Sequence, residues 1–214
     1  MSQLLKPTSR VREEQHHFSN KDFIAGEAAL DFVNTVTGRD HSPCDWLTNY
    51  QSFIDWAALT GIFTHDFLRR LEKQARNNPS EAIQALRRAK RMREEWFALL
   101  TKLTRGANPS AEEMNLLRGH WLAGLAAIDL EIHGGRLVKK FNEMIDLDAI
   151  ANMIAYRIVD HVLATPIERL RMCEGTNCAW LYVDTSKANR RRWCDMRVCG
   201  NAAKSRRFYE RNHK

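Results

Sequence analysis

Four of the five cysteines in this 214-residue chain, Cys173, Cys178, Cys194 and Cys199, fall within twenty-seven residues. Their pattern is C-x4-C, then fifteen residues, then C-x4-C. Each close pair supplies two thiolates from one turn, and the loop between lets the pairs meet around a single tetrahedral ion. Zinc suits four soft thiolates and brings no redox chemistry. An iron–sulfur cluster uses the same ligand set and is the remaining competitor. Four protein ligands close the coordination sphere, so the expected role is structural rather than catalytic. Disulfides are the weaker reading, because the polar N-terminus has no apolar export signal and the expected compartment is the cytoplasm, where thiols stay reduced.

Positive charge follows the cysteines. The chain has a net charge of +7. Lys187 to Lys214 holds ten Lys or Arg and two acids, Asp195 and Glu210, while the remainder holds 23 basic and 24 acidic residues. Such concentration suggests the footprint of a polyanion partner, with a solvated charged tail as the alternative. From Asp195, a fitting N-cap, the sequence reads as helix to its end. Steps of about 100° per residue put Arg197, Asn201, Lys204, Phe208 and Arg211 on one stripe, flanked by Arg207 and Lys214. Val198, Ala202 and Tyr209 form another face, expected to pack, and Arg206 lies opposite the stripe. Lys and Arg neutralise phosphates, and Asn and Arg also read base edges. The predicted nucleic-acid-binding residues are therefore Arg197, Asn201, Lys204, Arg207 and Arg211. A lipid surface fits less well, since no strong apolar face accompanies the charge.

Other chemistry has little support. Asp31 and Asn34 lie three apart on one helical face among Leu30, Phe32 and Val33. The pair either lines a pocket for a small-molecule effector or makes local hydrogen bonds. The histidines show no metal-binding spacing, Cys44 has no evident histidine partner, and no Walker or dinucleotide glycine motif is present. The chain is not expected to be an enzyme. No run of eighteen apolar residues offers a membrane span.

The elements that must hold these residues are mostly helical. Residues 1–22 are polar and expected to form a flexible leader. Helices are predicted over 28–36, 48–59 with Gly61 as its stop, and 64–76. A long one follows over 81–105 with Ser80 as N-cap, then one capped by Ser110 with Glu113 at the capping-box position. Ile128 to Phe141 alternates around Gly134-Gly135, which predicts a hairpin, and 146–163 returns to helical spacing. Short strands are predicted over 170–172, 180–183 and 190–193. The fold class expected is mainly α with a small β-hairpin. A helical domain over 23–165 is followed, over 166–214, by a treble-clef or ribbon-like zinc module ending in a helix.

Cys199-Gly200-Asn201, with Ala203-Lys204 and Arg206-Arg207, resembles the CGNR-type zinc finger. Gly26 to Thr35, GEAALDFVNT, and the later Tyr50, Phe53, Trp56 and Gly61 are similar to the ABATE domain that usually precedes that finger. The resemblance covers about residues 23–212. It implies a bacterial protein, four cysteine ligands for zinc, and a stress-linked transcription regulator. The family's arginine after Gly-Asn is Ala202 here. That position falls beside Val198 and Tyr209 on the wheel, so the missing arginine reads as a brace between finger and domain; a DNA contact there would instead make binding weaker or differently specific. The expected function is a DNA-binding regulator whose helical domain senses an effector or pairs two copies as a homodimer. RNA binding and protein-interaction adaptor roles are the alternatives.

Overall fold

The computed structural model describes residues 11–212. Residues 1–10 of the expected leader, and Lys214 beside the basic stripe, lie outside them. The rest of the leader is held on the body. β1 (Arg12–Glu13) pairs in parallel with a later strand, and the His16 ring stacks on Trp46 at 3.9 Å.

α1 (Ala28–Val33) is buried over most of its length and stops before the predicted end at Val36. Asn34 and Thr35 turn their side chains to other parts of the chain, and the backbone leaves the helix for β2 (Val36–Thr37). β3 (Cys44–Asp45) runs between the first two strands, giving the order β1-β3-β2. α2 (Tyr50–Ala58) begins at a reciprocal cap between Asn49 and Ser52, and α3 (His65–Asn77) at Thr64. α4 (Pro79–Thr104) starts earlier than predicted because Pro79 fills a first-turn position that needs no N–H donor, which leaves Ser80 inside the helix. Its 26 residues make a rod about 39 Å long. Ala82, Ala85, Leu86, Ala89, Met92, Trp96 and Leu100 form its buried stripe, and α1, α2, α3 and the zinc-module strands all touch it.

α5 (Ala111–Leu125) opens with the Ser110–Glu113 capping box. A Cβ on its Gly124 would stand 2.6 Å from the Asn152 carbonyl oxygen, so glycine is what lets the following helix pack so closely there. β4 (Ile128–His133) and β5 (Arg136–Phe141) form the predicted hairpin, closed by Gly134 and Gly135 at φ +56° and +76°. Phe141 anchors its base against Phe63 and Phe67. α6 (Ala149–Ala164) packs on α5 and α1.

β6 (Leu170–Met172) and β7 (Leu181–Val183) are antiparallel and carry the first cysteine pair. The strand predicted over 190–193 is absent. That segment's backbone is spent elsewhere: Glu174 N–H donates to the Arg192 carbonyl at 3.0 Å, Tyr182 O–H to the Arg191 carbonyl at 2.7 Å, and Arg191 N–H to Asp184 Oδ2 at 2.8 Å. The described residues end in α7 (Asn201–Asn212), preceded by one wide turn over Met196–Gly200 with π-type bonding. Cys173, Cys178, Trp180, Leu181, Tyr182 and Cys194 belong to the same buried cluster as Trp56 and Trp96, so zinc module and helical domain share one core.

Candidate metal centre

β6 delivers Cys173 and the chain then loops back to Cys178. Cys173 N–H closes the loop on the Trp180 carbonyl at 2.8 Å, and Asn177 and Ala179 adopt left-handed backbone at φ +58° on either side of Cys178. The second pair comes from the start of the terminal helix. Asp195 caps it, accepting from Arg197 N–H at 2.6 Å, and the π-type turn brings Cys199 back toward Cys194.

All four sulfurs lie within 4.8 Å of one another. The Cys178–Cys194 and Cys194–Cys199 sulfurs are each 3.7 Å apart. Zn–S bonds of about 2.3 Å in a tetrahedron place sulfurs about 3.8 Å apart, whereas a disulfide needs about 2.05 Å. The donor set therefore fits zinc. Cys173 Sγ accepts N–H bonds from Gly175 and Cys194, both at 3.3 Å. Neighbouring thiols and these two amides hold the Cys173 thiol well below its ordinary value, which favours the thiolate that a metal needs. A Cβ on Gly175 would lie 2.8 Å from Cys199 Sγ and 3.2 Å from Cys173 Sγ, so the loop closes over the sulfurs without room for a side chain.

The basic stripe is only partly as the helical wheel describes. A π-type turn bonds i to i+5 and takes an extra residue, so Arg197 loses its 100° phase with Lys204 and Arg211. Arg197 folds back on Asp195, its Nη2 at 2.8 Å from Oδ2. Asn201 Nδ2 donates to the Arg197 carbonyl at 3.2 Å, and Arg211 Nε to the Arg207 carbonyl at 3.2 Å. Among the described residues, no ion pair or side-chain hydrogen bond engages Lys204 or the Arg207 guanidinium. The face expected to pack is largely exposed. Val198 is 67% and Tyr209 64% exposed, and α7 buries no residue. Arg206 turns the other way and donates to Thr176 Oγ1 in the first cysteine loop. Ala202 and Arg206 line a cleft of about 660 Å³ shared with Ile24, Trp46 and Trp180.

Of the two readings open for Asp31 and Asn34, the structure shows hydrogen bonding: both side chains are taken up by backbone. Asp31 Oδ1 accepts the N–H groups of Ile24 at 3.0 Å and Ala25 at 2.9 Å. Burial pushes its carboxyl up to about 7, against the lowering effect of those two bonds. Asn34 Nδ2 donates to the Leu181 carbonyl at 2.8 Å, and its Oδ1 accepts from Leu181 N–H at 2.8 Å. It clamps α1 to the strand that precedes the second cysteine pair.

Comparison with known families places this geometry. The sequence model of the ABATE domain, described as "Putative stress-induced transcription regulator", matches residues 26–165. The chain belongs to the ABATE family. The model of the CGNR zinc finger matches residues 169–212 and takes in all four cysteines. No curated protein matches the chain. In this ABATE protein the polar residues of the Leu30-Asp-Phe-Val-Asn-Thr35 segment each have a structural task. Asp31 fixes the entry to α1, Asn34 holds the finger, and Thr35 Oγ1 accepts from Arg93 Nη1 at 2.9 Å.

Arg93 is the residue that sequence reasoning missed. It is 2% exposed and grips Asp45 through both Nη atoms at 2.8 Å, while Lys90 Nζ adds a third contact at 3.0 Å. These partners hold the Asp45 carboxyl below its usual range despite burial. In the sequence, Arg93 stands among Arg87, Arg88, Arg91 and Lys90 with nothing to separate a buried guanidinium from solvated ones. Among the described residues of the ABATE protein, no helix is long and apolar enough to cross a membrane.

Proposed function

We propose that this ABATE protein is a bacterial, cytoplasmic DNA-binding transcription regulator, and not an enzyme. Zinc fixes the start of its terminal helix, and the helix offers cations to the DNA backbone. The observation that carries this reading is the contrast between the two ends of the finger. One end is fused into the helical core, while α7 buries nothing and leaves the Lys204 amine and the Arg207 guanidinium without a side-chain partner among the described residues. Cations of a helix that meet no acid gain their counter-charge from a polyanion. Ala202 supports a structural role for the arginine that the family carries there, because its side chain borders the cleft by Trp46. An effector role for Asp31 and Asn34 forms no part of the proposal.

The test is DNA binding by fluorescence anisotropy at several salt concentrations. The parent is expected to weaken steeply with salt. A variant with Arg197, Lys204 and Arg211 all changed to alanine, retaining its zinc, is expected to lose most of the affinity and to show a shallower slope. Unchanged binding by that variant sinks the proposal. Phe208, 62% exposed on the same helix, favours one second reading. Stacking of unpaired bases on its ring predicts a preference for single-stranded RNA, which competition between duplex and single-stranded oligonucleotides reveals.

A further inference from the structure

The finger carries a second concentration of positive charge that the terminal helix does not use. A cleft of about 460 Å³ opens between the end of α4 and the loop leading into Cys194. Five arginines line it, Arg105, Arg171, Arg190, Arg191 and Arg192, against one acid, Glu174. Glu174 is already spent on Arg192, whose Nε donates to its Oε2 at 2.7 Å. Asp184, the buried acid near Arg171, is taken up by the N–H groups of Ser186 at 2.9 Å and Arg191 at 2.8 Å. Arg105 and Arg190 are exposed and have no side-chain partner among the described residues.

The walls of this cleft are built rather than loose. Arg191 lies over the Tyr182 ring at 4.5 Å and donates through Nε to the Trp193 carbonyl at 2.8 Å. The backbone bonds that displace the predicted strand hold residues 191 and 192 in place. Arg171 reaches the Asn189 carbonyl only at 3.3 Å, and its Nε is buried without any hydrogen-bond partner. Asn189 donates through Nδ2 to the Glu168 carbonyl at 3.3 Å, and its Oδ1 is buried without a partner. A buried guanidinium donor without an acceptor is costly, and several guanidinium groups around one hollow repel one another. An anion with several acceptor oxygens relieves both costs, and the planar fork of arginine matches phosphate.

We propose that the cleft formed by Arg105, Arg171 and Arg190 is a phosphate-binding site that grips the backbone of the same DNA that the terminal helix contacts. The second half of this statement rests on the function proposed above; the phosphate chemistry does not. The first cysteine loop joins the two surfaces, since Glu174 lines the arginine cleft and Gly175, Thr176 and Asn177 line the cleft beside α7. One zinc site therefore sets the distance between the two cationic surfaces.

The test uses zinc-loaded full-length protein and the double variants Arg105→Ala/Arg190→Ala and Arg105→Gln/Arg190→Gln, with zinc content and melting temperature checked first. Both positions are exposed and have no side-chain partner among the described residues, so the fold is expected to survive. In DNA binding, the slope of log affinity against log salt is expected to fall by about 2, nearly equally for unrelated sequences. In a second arm, inorganic phosphate at constant ionic strength is expected to raise the melting temperature of the parent and not of the variants. An unchanged slope together with an unchanged phosphate response overturns the proposal. Loss of the phosphate response with an unchanged DNA slope keeps the site but assigns it to a free phosphorylated compound, overturning the DNA half. If the parent binds no DNA, the function proposed above fails and the phosphate arm decides the site by itself.

Discussion

The Asn34 amide makes two hydrogen bonds to Leu181, one in each direction, across 147 positions of sequence. Asn34→Ala leaves a buried backbone N–H and a buried carbonyl unpaired, at an expected cost of about 2–4 kcal/mol. Urea denaturation measures the loss, and faster zinc release to a chelator is expected with it, because β7 leads into the metal site. Asp31 gives a pH prediction. Burial pushes its carboxyl up to about 7 in the folded protein against 3.8 for an exposed aspartate, so between those values the native state binds the extra proton. Its contribution to stability is present below pH 4 and is lost as pH rises through 7. From pH 6 to 8 the parent is expected to lose about 1.4 kcal/mol relative to Asp31→Asn, whose amide keeps the acceptor oxygen. Parallel pH curves for the two proteins would contradict this. The cysteines were legible in the sequence because ligand chemistry depends on residue type and spacing. Asp31 and Asn34 stood out as polar residues in an apolar stretch, but their roles did not, since the Asn34 partner is on a distant strand. Arg93 gave no signal among its basic neighbours.

Caps and periodicity located most of the helices. The Ser110–Glu113 box and the Gly134-Gly135 hairpin formed where local chemistry predicted them. Predictions failed where tertiary partners competed for local groups. α1 ends early because Asn34 and Thr35 are drawn to the finger and to Arg93, and residues 190–193 give their backbone bonds to Glu174, Tyr182 and Asp184. The terminal helix failed differently. Regular 100° steps cannot anticipate the π-type turn that carries Cys199 to its partners. The first cysteine loop yields a sharp prediction at Gly175, whose missing Cβ leaves space for two sulfurs. Gly175→Ala is expected to weaken zinc retention at least tenfold in competition with a colorimetric chelator, because either the loop or a ligand must move. Equal retention would show that the loop yields without disturbing the sulfurs.

In the whole chain, the division into a helical domain and a finger is true of the sequence families but not of packing. Tyr182 and Leu181 of the finger are fully buried beside the residues of α1 and α4. Zinc removal is therefore expected to lower the stability of the helical domain as well as the finger, visible as a lower melting temperature of the helical circular-dichroism signal. The concentration of positive charge in the last residues was plain from the sequence; its division between α7 and the arginine cleft was not, since it depends on how the loop before Cys194 is held. In the proposed function, a four-cysteine zinc centre positions a basic surface for DNA. The most direct test is duplex DNA affinity measured with bound zinc, after chelation, and after adding zinc back. One zinc per chain is predicted, with affinity lost on chelation and regained as one equivalent returns. Metal-free protein that binds DNA with the same affinity and the same salt dependence would contradict the account.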